Sequence, residues 1–185
     1  MTPAPETAAP VLLRRARTAD VRGIKALVDS FADDNILLRK PLVTLYETVQ
    51  EFRVAVRGRD VVGCGALHVL WEDLAEIRTI AVDPRMQGAG IGHGLVDELI
   101  AQARALGLRS VFVLTFEVAF FSRHGFREIE GSPVSPEVYA EMLHSADEGV
   151  AEFLDLAYVK PNTLGNSRML LDLCGAPAVG RRSGG

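Results

Sequence analysis

The chain is short of cysteine, of basic runs and of long apolar runs, and each shortage closes a class of function. Its two cysteines, Cys64 and Cys174, are too few for a disulfide framework, so both read as reduced thiols in a cytoplasmic protein. No apolar run approaches the roughly eighteen residues needed to span a bilayer, and no membrane partner is expected. The net charge is −4 and no block of lysine and arginine stands out, which argues against nucleic acid or an anionic membrane as the main partner. His68, His93, His124 and His144 share no metal-ligand spacing, and no metal is expected. Met1 to Pro10 carries Pro and Ala without lysine or arginine, which does not read as a signal peptide.

What is there suits one enzyme-sized domain. The 185 residues are 48% hydrophobic, enough for a real core. The reading is a single domain over 11–174, with flexible ends at 1–10 and 175–185. Leu12 to Ala16 reads as a strand. Thr18 looks like an N-cap for a helix whose buried stripe is Val21, Ile24, Leu27, Val28 and Phe31. Thr44 to Gln50 reads as a second short helix. Phe52 to Val56, Val61 to Leu70 and Leu74 to Val82 form a three-strand meander, turned at Gly58-Arg59-Asp60 and at Glu72-Asp73. Ile91, Leu95, Leu99, Ile100 and Ala103 mark a helix closed by Gly107, and Ser110 to Thr115 is an apolar strand parallel to the one before that helix. Val118 to His124 is a short helix stopped by Gly125, Phe126 to Ile129 a strand, Ser135-Pro136-Glu137 a helix start, and Ser167 to Leu173 the last strand. The fold class is α+β with one parallel crossover in a largely antiparallel sheet.

The chemistry gathers at Ala81 to Gly92. Three glycines alternate with small residues where a helix begins. Bare amides there can approach a phosphate closely, and the positive end of the helix adds to the attraction. That combination is a pyrophosphate cradle for a nucleotide-containing cofactor. No Gly-Lys-Ser/Thr follows, so it is not a P-loop. A dinucleotide fingerprint needs G-x-G-x-x-G in an all-parallel fold, whereas a meander precedes this loop.

The spacing Gln87-x-x-Gly90-x-Gly92 resembles the acetyl-CoA loop of the GCN5-related N-acetyltransferase (GNAT) family. Val82-Asp83-Pro84 enters it as the family's fourth strand does, and Phe120-Phe121-Ser122-Arg123-His124-Gly125-Phe126 matches the family's later helix and Gly-Phe strand start. The resemblance implies acetyl-CoA as cosubstrate and a GNAT-like mixed, mostly antiparallel sheet with a splayed parallel strand pair and flanking helices. It implies that the pantetheine lies between the fourth and fifth strands and pairs with the backbone of Ile80, Ala81 and Val82. Gln87, Gly88, Ala89, Gly90, Ile91 and Gly92 would then hold the pyrophosphate, with Phe121 also in contact with the cofactor. Phe121 stands where many members place an acidic tyrosine and has no proton to give. Ser122, Thr115 or a water stays open as the acid, as does unassisted departure of the thiolate.

Amine acetylation needs a base, because most amines are protonated at neutral pH. Glu76 is the candidate. Alternation along Leu74 to Val82 puts it on one face with Arg78, Ile80 and Val82, and family members often use a carboxylate on this strand. The competing reading has Glu76 and Arg78 neutralising one another as a structural pair.

A narrower resemblance concerns the acceptor. Ile36-Leu37-Leu38-Arg39, Phe112-Val113-Leu114-Thr115, Phe120-Phe121 and Asn166-Ser167-Arg168-Met169-Leu170 together resemble the acetyltransferase domain of N-acetylglutamate synthases. That implies a small amino-acid substrate, L-glutamate or L-glutamine, acetylated on its α-amine in arginine biosynthesis. Carboxylates need fixed cations, for which arginine's forked donors are suited. Arg39, Arg78 and Arg168 are assigned to them, with Lys40 and Asn166 as further ligands. Many such synthases carry an amino-acid-kinase-like domain first, and these 185 residues contain none. A homodimer is left open. Other readings are a GNAT enzyme for another amine, such as a protein N-terminus, and a non-catalytic acyl-CoA sensor.

Overall fold

Alternating apolar residues become strands, and helical stripes become helices, in the computed structural model, which describes residues 9–32, 40–145, 148–154 and 165–174. The strands are β1 (Val11–Arg15), β2 (Phe52–Arg57), β3 (Asp60–Trp71), β4 (Leu74–Val82), β5 (Ser110–Thr115), β6 (Arg127–Glu128) and β7 (Ser167–Asp172). The helices are α1 (Val21–Ala32), α2 (Leu42–Glu47), α3 (Ile91–Ala105), α4 (Val118–Ser122), α5 (Pro136–Met142) and α6 (Glu148–Phe153). The sheet order is β1-β2-β3-β4-β5-β7-β6. It is mixed and mostly antiparallel, with β4 and β5 as the parallel pair. The last strand in sequence is inserted between β5 and β6, pairing antiparallel with both.

The chain divides into two compact units, Met1–His68 with Ile77–Leu99 and Val69–Glu76 with Ile100–Gly185. In the first, the α1 stripe of Val21, Ile24, Leu27 and Val28 joins Leu45, Val54, Val56, Cys64, Ala66 and Ala81 in one buried cluster. Ala55, Val62, Ile91 and Leu95 form another cluster, covered by Val11, Leu13, Val82 and Met86. Full burial of each large aliphatic side chain here contributes roughly 1.5–3 kcal/mol. A register shift between Ala55 and Val56 puts one extra residue, Val62, into β3, which explains why Val62 and Cys64 belong to different clusters. In the second unit, Leu70, Leu74, Phe112, Met142, Val150, Phe153 and Leu154 pack together. The rings of Phe112 and Phe153 meet edge to face at 5.0 Å.

The start of α1 differs from the expected Thr18 cap. Thr18 lies inside a 3-10 turn, Thr18–Asp20, that leads into the helix. The N-cap is Arg17, and Asp20, the third residue of the turn, reaches back so that its Oδ2 accepts the Arg17 N–H at 2.7 Å. Its carboxylate also takes two bonds from the Arg14 guanidinium, at 2.7 and 2.9 Å, and Arg14 holds its pKa below the usual carboxylate range. A charge-assisted acceptor with three donors outcompetes a neutral hydroxyl.

Candidate active site

The loop before α3 is built from its entry onward. The Asp83 N–H bonds to the Val62 carbonyl at 2.9 Å. The Asp83 carboxylate accepts the Arg85 backbone N–H at 2.9 Å and its guanidinium at 2.6 and 3.0 Å. Those bonds hold its pKa down at about 2. A 3-10 turn, Pro84–Met86, follows. Gln87 through Gly90 are all exposed. Gly88 and Gly90 adopt φ of 80° and 77°, a region that disfavours any side chain. A Cβ at either glycine would meet nothing within 4 Å, so the loop borders open space. The first inter-turn bond of α3 runs from the Gly94 N–H to the Gly90 carbonyl at 3.0 Å. The amides of Ile91 and Gly92 precede it and belong to the turn that helical geometry leaves without intrahelical partners. Exposed glycine backbone at the positive end of a helix fits a diphosphate.

One expectation about β4 is corrected. Alternation was to put Glu76, Arg78, Ile80 and Val82 on one face. Thr79, 8% exposed, has φ 60°, which is rare for a β-branched residue. That single residue shifts the phase of the strand. The Ile80 side chain lies with Leu99 of α3 against the Gly65 backbone, and Val82 packs on the Ile91–Leu95 cluster. Ala81 belongs instead to the α1–α2 cluster with Cys64 and Ala66. Arg78 lies on that second side, where it reaches Glu51 beside Val49 of the same cluster. Glu76 keeps the phase of Arg78, which Ile80 and Val82 have lost. The buried Cys64 thiol donates to the Thr79 carbonyl at 3.6 Å. Burial pushes its pKa up to about 12, against a smaller lowering by the Ala81 backbone.

Glu76 is 4% exposed. Arg78 Nη2 donates to Glu51 Oε2 at 3.2 Å, and Glu51 Oε1 lies 2.9 Å from Nδ1 of His68. Glu51 is a residue the sequence reading missed. Its partners stand 17 and 27 positions away, and no local pattern marks it. Lys40 is half-buried just before α2, while Arg39 and the rest of the 36–39 motif lie outside the described residues. In the second unit, Arg168 donates through Nε to the Gly131 carbonyl at 3.2 Å and through Nη2 to the Phe153 carbonyl. Its guanidinium sits 5.2 Å over the Phe112 ring. Arg168 therefore closes the C-terminus of α6. Asn166 Oδ1 is buried without a hydrogen-bond partner among the described residues. Phe121 is buried, edge-on to Phe120 and Phe126 at 5.1 and 5.4 Å. The Thr115 hydroxyl oxygen accepts the Glu117 N–H at 2.9 Å.

A separate cleft of about 520 Å³ in the first unit is lined by Asp20, Gly23, Ser30, Arg59, Asp83 and Arg85 among others. It contains none of the residues assigned to cofactor or acceptor. Among the described residues, no helix is long and apolar enough to cross a membrane.

Comparison with known proteins bears on this geometry. Residues 25–126 match the profile of the Acetyltransferase (GNAT) family. An amino-acid acetyltransferase of Mycobacterium tuberculosis is 66% identical over 177 residues, covering 94% of this chain and 100% of that protein. An amino-acid acetyltransferase of Pseudomonas fluorescens is 33% identical over 127 residues, and the match spans 68% of this chain and 28% of that protein. A Mycobacterium tuberculosis protein crystallised in complex with CoA has a TM-score of 0.84 at 67% identity, over 88% of this chain and 99% of that one. N-acetylglutamate synthase of Neisseria gonorrhoeae, crystallised with coenzyme A and N-acetyl-glutamate, has a TM-score of 0.69 at 23% identity, over 89% of this chain and 35% of that one. The last is a likeness of fold.

Proposed function

The chain belongs to the acetyltransferase (GNAT) family, and from that premise we propose that it transfers the acetyl group of acetyl-CoA to the α-amine of L-glutamate, or of L-glutamine, as a step of arginine biosynthesis. The observation that carries this reading is the exposed pair of positive-φ glycines between β4 and α3, which follows the strand that bears the buried carboxylate Glu76. The 66% identity to an amino-acid acetyltransferase supports an amino acid as the acceptor class.

In this reading the amides of Gln87 to Gly92 bind the diphosphate, and the backbone of Ile80 to Val82 pairs with the pantetheine. Acetyl-CoA supplies an activated acyl carbon. Glu76 takes one proton from the acceptor's ammonium, directly or through one water. The freed nitrogen forms the C–N bond as the C–S bond breaks, and the second nitrogen proton ends on the CoA sulfur. Arg78, with Arg39, Lys40, Asn166 and Arg168 as further candidates, orients the acceptor's carboxylates. Phe121 offers no proton, so no acid is assigned to that position.

The test is CoA release by purified protein with free amino acids. Glutamate or glutamine supports turnover, and Glu76→Gln lowers kcat by on the order of 10²–10⁴ while calorimetry still detects acetyl-CoA binding. Binding without turnover of any amine favours the acyl-CoA sensor, a reading that the hydroxyl-free Phe121 supports. No heat with acetyl-CoA ends both readings.

A further inference from the structure

We propose that Glu51 is a positioning residue that presets Arg78 for the carboxylate of the amino-acid acceptor, an inference that rests on the acceptor role given to Arg78 above. Glu51 ends a 3-10 turn, Val49–Glu51, directly before β2, and its own N–H is tied to the Thr48 carbonyl at 3.0 Å. Its carboxylate is therefore delivered from short, constrained backbone. The two oxygens do different work. Oε2 accepts from Arg78 Nη2 at 3.2 Å, and Oε1 lies 2.9 Å from Nδ1 of His68.

The group joins three separate segments. His68 lies on β3 in the phase of the buried Cys64 and Ala66, Arg78 lies on β4 just before Thr79 with its positive φ, and Glu51 lies on the approach to β2. The side chains of Arg78, His68 and Glu51 are 11%, 20% and 23% exposed. In so dry a setting a charge-assisted hydrogen bond is stronger than at an open surface. Arginine's long stem otherwise loses rotamer freedom when it meets a ligand. Fixing the stem beforehand removes that cost from binding. The planar fork also has more than one edge, so a guanidinium can engage a structural carboxylate and a ligand carboxylate together. The ligand class is thus an amine that bears a carboxylate.

Steady-state kinetics of Glu51→Gln test the idea. Loss of one charge-assisted bond predicts a rise of about tenfold in KM for the amino acid, with kcat and KM for acetyl-CoA within about twofold. Arg78→Gln raises the same KM at least as much, and the double variant matches Arg78→Gln alone, because Glu51 acts through Arg78. If thermal unfolding shows that E51Q does not fold, Glu51→Asp carries the measurement, with an intermediate KM expected. An unchanged or lower amino-acid KM in E51Q, alongside a raised one in R78Q, overturns the Glu51 role and leaves the acceptor reading standing. So does a parallel shift of kcat and both KM values, or full additivity in the double variant. An unchanged KM in R78Q overturns the acceptor role of Arg78 and this inference with it.

Discussion

Gly63 and Gly65 flank Cys64 in β3, and Gly88 and Gly90 flank Ala89 before α3. On paper the two triplets look alike. In the fold they are glycine for opposite reasons. At Gly63 a Cβ would sit 3.0 Å from Ile91 and 3.2 Å from Leu95, and at Gly65 it would collide with Ile80 and stand 3.1 Å from Leu99. There the missing side chain lets a helix lie close on a strand. At Gly88 and Gly90 nothing lies within 4 Å, but φ is positive. There the missing side chain permits a backbone shape and leaves amides uncovered. Glycine needed for space serves packing, and glycine needed for conformation beside solvent shapes an exposed backbone.

Substitutions at the two triplets separate these roles. The largest effect is expected from Gly88→Val with Gly90→Val. Two lost charge-assisted bonds to phosphate raise KM for acetyl-CoA by on the order of a hundredfold, with little change in the melting midpoint. An unchanged KM would take the cofactor away from this loop. Next is Gly65→Ala, for which overpacking costs about 1–3 kcal/mol. Denaturant unfolding should register that loss, and the shift in KM should be much smaller than that of the loop variant. The comparison fails if the order of the two effects reverses. The smallest effect concerns the middle residues. Cys64 is buried with a pKa near 12, so it stays a neutral thiol far above pH 8, while Cys174 is exposed. A chromogenic disulfide should consume one thiol quickly in native protein and the second only after unfolding. Ala89→Cys adds another fast thiol, slowed by acetyl-CoA.

Much of the fold was legible because its signals are periodic or chemical. The stripe from Ile91 to Ala103 is fully buried, Gly107 closes α3 with φ 80°, and Leu74–Val82 and Ser110–Thr115 are strands with the expected limits. The glycine loop was legible for the same reason. The phase of β4 was not, because nothing in the residue type of Thr79 announces φ 60°. A single residue with that backbone shape then inverts every later alternation. The insertion of β7 beside β5 was also hidden, since strand order depends on pairings far apart in sequence. Among the proposed acceptor residues, Arg78 proved tied to Glu51, and Arg168 to the carbonyls of Gly131 and Phe153. Residue type alone says that an arginine wants acceptors, and it does not say which ones are nearest.

The positive φ at Thr79 has a consequence for how this enzyme can diversify. A regular strand would act as a rigid ruler, so that altering Arg78 would crowd whatever Ile80 and Val82 touch. With the phase broken, the set of residues 51, 68 and 78 can be exchanged for another while Ile80 and Val82 keep their seats against α3. If the proposed roles hold, acceptor preference and coenzyme grip become separately inheritable traits written on one strand.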